Sequence, residues 1–135
     1  MIAFIRLSLS AFALIGAATV ADRAAAQTAD RNGCYTPPRQ CVRGEVLWLE
    51  GGRLLTARMT NNCPGRIYIK FCNLRRNGTQ DCGADGLAPG RTKAWSTYNA
   101  VRPARSGYRY TGSLRGGSDW VCAGRVPGWN NDLRL

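Results

Sequence analysis

The sequence predicts an all-β fold, a small disulfide-stabilised β-sandwich or barrel. Three observations carry this. Short apolar segments, some alternating with period two, are separated by frequent turn signals. Residues 27–135 contain 15 Gly and six Pro, spread along the chain so that no window suits a helix of normal length. The same 109 residues contain all six cysteines, an even number that in a small exported chain reads as a disulfide framework.

Residues 1–26 read as a secretory signal. Arg6 follows a short apolar start, residues 7–20 form an uncharged, mostly apolar run, and Ala24-Ala25-Ala26 offers small residues to a signal peptidase. A membrane-spanning helix needs about 20 apolar residues, and Asp22-Arg23 ends this run too early. Cleavage is expected after Ala26, with Ala21 as the alternative, and no cysteine follows to carry a lipid. Residues 27–43 are expected to be irregular, because Pro37-Pro38 lies between Cys34 and Cys41 and disfavours both helix and ladder pairing. Residues 44–135 then form one β domain.

Within it, residues 45–49 and 54–60 are expected to pair across Glu50-Gly51-Gly52-Arg53, with Gly-Gly at the bend. Leu55, Ala57 and Met59 alternate with Thr56 and Arg58, as in a half-buried strand. After the Pro64-Gly65 turn, residues 66–72 place Ile67, Ile69 and Phe71 on one face and Tyr68, Lys70 and Cys72 on the other. Asp85-Gly86 and Pro89-Gly90 are expected to punctuate a loop, with Pro89 and Gly90 suited to the central positions of a type II turn. Further strands are expected at residues 92–97, at 108–113 and near Trp120. Trp48 and Trp120 are assigned to the core.

Turn chemistry also selects one disulfide. A three-residue loop of Arg76, Asn77 and Gly78, with Gly78 left-handed, makes Arg75 and Thr79 a hydrogen-bonded pair. Ladder alternation then makes Cys72 and Cys82 a non-hydrogen-bonded pair, with Cα atoms about 4.5 Å apart and within disulfide reach. Pairing Cys63 with Cys72 would require bridging an extended segment of about 20 Å. The pairing of Cys34, Cys41, Cys63 and Cys122 is undetermined among three arrangements, at least one expected to tie the N-terminal segment to the sheet. Zinc sites favour close C-x₂₋₄-C pairs, usually with histidine. The chain has no histidine and no two cysteines that close, so neither a metal nor another cofactor is expected.

Charge and residue type point towards binding and away from catalysis. Residues 27–135 carry 17 basic groups, 15 of them Arg with Lys70 and Lys93, against seven carboxylates, a net +10. Such a balance attracts anionic polysaccharide, lipopolysaccharide or acidic lipid head groups. Nucleic acid is the least available partner for an exported chain. Lack of histidine removes the commonest general acid/base. Asp81 with Asp85, or Ser96 with Lys93, are the alternatives weighed, and no enzyme is expected.

Trp95-Ser96-Thr97-Tyr98-Asn99 and Trp129-Asn130-Asn131-Asp132 set aromatic faces beside amides and hydroxyls, the mixture a sugar ring requires. Arg102, Arg105 and Arg109 interleave with Tyr108 and Tyr110, and arginine beside aromatics suits anionic ligands. The candidate ligand-binding residues are therefore Trp95, Tyr98, Arg102, Arg105, Arg109 and Trp129, with Trp129 expected to be exposed near the terminus. Asn77-Gly78-Thr79 matches a glycosylation sequon, but the hairpin tip already accounts for it.

Asn61-Asn62-Cys63-Pro64, Ile69, Phe71-Cys72, Cys82 and Leu87-Ala88-Pro89-Gly90 together resemble a pattern in small exported proteins of Gram-negative bacteria. The resemblance covers residues 55–99. It implies a compact disulfide-linked β domain in the periplasm or outside the cell, and it assigns no catalytic or binding residue. Ser106-Gly107-Tyr108 is similar to part of a motif of periplasmic lysozyme inhibitors, but a +10 chain would repel a basic lysozyme. The sequence thus predicts a periplasmic or secreted, non-catalytic protein that binds an anionic or glycan surface component. A secreted effector or protein inhibitor, acting through a protein interface, is the alternative.

Overall fold

The computed structural model describes residues 28–116 and 120–135. The signal segment expected over residues 1–26 and the carboxylate of Asp119 lie outside the described residues. Among the described residues, seven strands form two antiparallel sheets. Strands β1 (Cys34–Tyr35), β4 (Ile67–Leu74), β5 (Gln80–Leu87) and β7 (Ser106–Ser113) make one sheet in the order β1-β7-β4-β5. Strands β2 (Val42–Leu49), β3 (Leu54–Asn61) and β6 (Thr92–Tyr98) make the other, in the order β2-β3-β6. The architecture is a small β-sandwich held by three disulfides.

The core lies where the period-two patterns meet. Leu55, Ala57 and Met59 of β3 and Ile67, Ile69 and Phe71 of β4 are all buried. Each large side chain so placed contributes about 1.5–3 kcal/mol relative to exposure. Tyr110 and Trp95 pack at the margin of this cluster. Phe71 and Trp95 meet edge to face at 5.5 Å, and Trp95 lies against Gly83, where an added Cβ would come within 3.0 Å of the indole. Asn61 is fully buried and fixes the following turn: its amide donates to the carbonyls of Gly65 and Leu87, and its Oδ1 accepts from the Cys63 N–H.

The β4–β5 hairpin has the register its turn chemistry dictates. Thr79 O accepts from Arg75 N at 2.8 Å, Gly78 has φ +81°, and Cys72 stands opposite Cys82. Those two cysteines are bonded, with Cα atoms 4.0 Å apart. Both remaining bridges begin in the N-terminal segment: Cys34 joins Cys122, and Cys41 joins Cys63 just beyond β3. Segment 27–43 is less irregular than the prolines suggest, since it contains β1 and the first residues of β2. Tyr35 explains the short β1, because its ring lies over Gly112 and its hydroxyl donates to Arg66 O.

Three further expectations are corrected. Asp85-Gly86 does not turn the chain; β5 continues through it to Leu87, with the Asp85 carboxylate held by Lys93 at 2.6 Å. No strand forms at Trp120, where a helical turn, α1 (Trp120–Ala123), packs on β1 and β7 because Cys122 is bridged to Cys34. Neither Trp48 nor Trp120 is a core residue. Trp48 is half-buried beneath the Arg102 guanidinium, 4.1 Å from its ring centroid, and Trp120 is 59% exposed.

The outer face of the four-stranded sheet is covered by the C-terminal segment. Trp129 packs on Tyr68 at 5.5 Å, Lys70 donates to the carbonyls of Trp129 and Asn131, and Gln80 exchanges hydrogen bonds with the Leu133 backbone. The outer face of the three-stranded sheet has no such cover among the described residues.

Candidate functional site

Antiparallel connectivity brings three turns to one end of the sandwich: residues 50–53 between β2 and β3, 75–79 between β4 and β5, and 99–105 between β6 and β7. Leu54 pairs with Tyr98, and Arg75 bridges to Ala100, so the end of β6 lies between the two hairpin tips. Asn99 takes a left-handed conformation at φ +57°, and its carbonyl accepts from Arg76 N at 2.8 Å. Asparagine tolerates that backbone region better than most residues.

Tyr98 stands at the centre of this end and is 57% exposed. A depression of about 430 Å³ on one side is lined by Arg75, Arg76, Asn77, Asp81, Ser96 and Asn99 together with Tyr98. A second, of about 530 Å³, is lined by Glu50, Gly52, Arg53, Arg76, Asn99 and the same tyrosine. Together they form a cleft with an aromatic side chain in the middle, guanidinium groups on both sides, and amides and a hydroxyl along the walls.

A buried polar chain fixes one wall. Ser106 donates to Asn73, Asn73 donates to Thr97 at 2.9 Å, and Thr97 donates to Asp81 at 2.8 Å. Asp81 in turn pairs with Arg75 at 3.0 Å. Asn73 and Thr97 are essentially inaccessible, so the chain ties the cleft to the sandwich interior. On the opposite side Glu50 accepts from the Tyr98 hydroxyl at 3.2 Å and lies 3.8 Å from Arg53. Arg76 forms no ion pair with a described residue. The lining thus has three cations against two carboxylates, with the charge of Arg76 left over.

Of the six residues expected to bind ligand, the structure places only Tyr98 in the cleft. Arg102 adjoins it from behind: its guanidinium covers Trp48 and donates to Gly52 O at 2.6 Å. Arg105 donates to Leu135 O, and Arg109 donates to the carbonyls of Pro127 and Gly128, so both hold the C-terminal segment. The partners of Arg109 are neutral peptide carbonyls, and its positive charge therefore persists at the surface. Trp129 is 3% exposed, against the expectation from its place near the terminus, because Tyr68 supplies an apolar seat for it. Trp95 is half-buried between Phe71 and Gly83, outside the lining of the cleft; its indole N–H is buried without a hydrogen-bond partner among the described residues.

Ser96 and Asn99, the hydroxyl and amide that flank Tyr98 in the sequence, also line the cleft, whereas Arg53, Arg75, Arg76 and Asn77 belong to it without a sequence signal for binding. Their signal is topological, for they flank turns that a meander places at one end. The groups weighed for catalysis are held in separate contacts. Asp81 and Asp85 are each bonded to a cation, on either side of Gly83 and Trp95. The Ser96 hydroxyl hydrogen-bonds Thr56, while Lys93 pairs with Asp85. That hydrogen bond from Lys93 holds the Asp85 carboxyl below its ordinary range, with burial opposing it. No group of three or more metal-ligating side chains occurs among the described residues. No described helix is long and apolar enough to cross a membrane. Comparison with protein-family models, curated proteins and solved structures finds no match to this chain.

Proposed function

We propose that this protein is an exported, non-catalytic binding protein for an anionic glycan or a related envelope component, acting through the cleft around Tyr98. The observation that carries the reading is the conjunction of a half-exposed tyrosine with the unpaired Arg76 and three polar neighbours, Asn77, Ser96 and Asn99, in one concavity. An aromatic face takes the apolar side of a sugar ring, amides fix hydroxyls, and a guanidinium recognises carboxylate or phosphate. Formal net charge of +11 over the whole chain adds long-range attraction for such ligands. Three disulfides fit an oxidising compartment, the periplasm or the cell exterior.

A protein partner is the second reading, favoured by the free edge strand β2. Val46, Leu47 and Leu49 are 44%, 41% and 46% exposed there, which suits an interface with an effector target or an inhibited enzyme.

Binding of oxidised protein to an array of glycans, lipopolysaccharides and acidic lipids, at physiological and several-fold higher salt, tests the proposal. Selective binding that survives the salt and is lost in Tyr98→Ala is expected. Uniform weak binding to every anionic spot, abolished by salt, would reduce the charge to a generic attraction and return attention to β2.

A further inference from the structure

We infer that the ligand is polymeric: an acidic polysaccharide that leaves the Tyr98 cleft, crosses the free edge of β5 and seats a second sugar against Trp120. This rests on reading the cleft as an anionic-glycan site. The second seat is a depression of about 260 Å³ on the outer face of the four-stranded sheet, lined by Lys70, Trp120, Trp129, Asn130 and residues 82–84 of β5. Trp120 meets Tyr68 edge to face at 5.0 Å and is still 59% exposed. The Lys70 ammonium, held by the carbonyls of Trp129 and Asn131, forms no ion pair with a described residue. Its charge is therefore not neutralised.

Each depression thus combines an exposed aromatic, an unpaired cation and a side-chain amide: Tyr98 with Arg76 and Asn99, Trp120 with Lys70 and Asn130. Repetition of one composition suits a ligand that repeats. Strand β5 joins the two, since Asp81 lines the cleft while Cys82 and Ala84 line the second seat. The two linings therefore abut along β5, where successive residues are about 3.3 Å apart and point to opposite faces of the sheet, so a chain that rounds this edge passes directly from one seat to the other. Gly83 and Ala84, at the β5 side of the second seat, present no long side chain to a ligand that enters it. Among the described residues β5 pairs only with β4, so the backbone groups on its other edge have no ladder partner; at its end, Gly86 N donates to the Asp85 carboxylate and Leu87 O accepts from Asn61. A peptide strand suits this edge less well. Asp81 and Asp85, charged residues directed at β6 through Thr97 and Lys93, are a device that discourages strand addition.

Calorimetric titration of size-fractionated oligouronates, with neutral oligosaccharides of matched length, into the oxidised protein tests this at fixed salt. Wild-type affinity should rise about tenfold or more once the oligouronate is long enough to fill both seats. Trp120→Ala should bind the shortest binding oligomer like wild type and lose that gain with length. Asn130→Asp, an exposed near-isosteric change that adds negative charge, should reduce the gain without disturbing the fold. Tyr98→Ala should lose binding at every length. If both second-seat variants match wild type at all lengths while Tyr98→Ala is impaired, the crossing is refuted and the cleft stands. If no oligouronate binds wild type, the cleft reading falls with it. If an extended acidic peptide shows the Trp120-dependent gain in place of the oligouronates, the edge takes a protein strand and the polysaccharide assignment is wrong.

Discussion

Trp129 and Tyr98 have comparable side chains and opposite fates, and their neighbours decide which. Trp129 closes a small cluster with Tyr68 and Ala123, whereas Tyr98 faces outward from the last position of β6. Trp129→Ala should therefore cost about 3 kcal/mol of stability, the range for truncating a large buried aromatic. Tyr98→Ala should stay within about 0.5 kcal/mol of wild type in the same denaturant titration. Asp85 makes a prediction about acid. The folded protein holds its proton more weakly than the unfolded chain, because Lys93 hydrogen-bonds the carboxylate. Its contribution is thus present above the ordinary carboxylate pKa and lost as pH falls through the lowered one. Because the side chain is 36% exposed, the contribution is below about 1 kcal/mol. Asp85→Asn should destabilise slightly near pH 6 and converge with wild type in strong acid, as followed by thermal melts across that interval.

The hairpins were the most legible elements. Gly-Gly at residues 51–52 and Asn-Gly at residues 77–78 supply the positive φ angles their turns need, and from the second turn the register down to Cys72 and Cys82 follows by alternation. Pro89-Gly90 likewise turns the chain, with Gly90 at φ +72° and Arg91 N donating to Ala88 O. Less legible was whatever depends on contacts distant in sequence. Asp85-Gly86 has turn composition, yet a lysine on the facing β6 keeps it in a strand. The segment at Trp120 has apolar residues suited to a strand, yet the bridge to Cys34 draws it over the sheet as a helical turn. Both outcomes are tertiary overrides of local preference. The bridges themselves should differ in weight, since stabilisation by constraining the unfolded chain grows with loop length. Replacing Cys72 and Cys82 together by Ala should cost about 3 kcal/mol, and replacing Cys34 and Cys122, separated by 88 residues, roughly 4–5 kcal/mol. Denaturant midpoints of the two double variants would check the order.

At the scale of the whole molecule, the two sheets have different tasks. The four-stranded sheet is covered on its outer face by the C-terminal segment, and Arg105, Arg109 and Lys70 serve as its tethers. The three-stranded sheet has no such cover among the described residues, and it delivers Tyr98 to the end where three turns converge. Of the candidate site, sequence alone yielded Tyr98 and the expectation of a basic, aromatic, amide-rich surface. It did not yield Arg53, Arg75 or Arg76, because their proximity arises from strand order across two sheets and leaves no local pattern. The central claim is that this end of the sandwich is where the protein meets its ligand. The most direct test is amide chemical-shift mapping of the oxidised protein titrated with an oligouronate. Shifts concentrated at residues 50–53, 75–79 and 96–99 are the predicted result. Shifts confined to the opposite turns, at residues 62–66 and 88–91, or to residues 46–49 of β2, would contradict it.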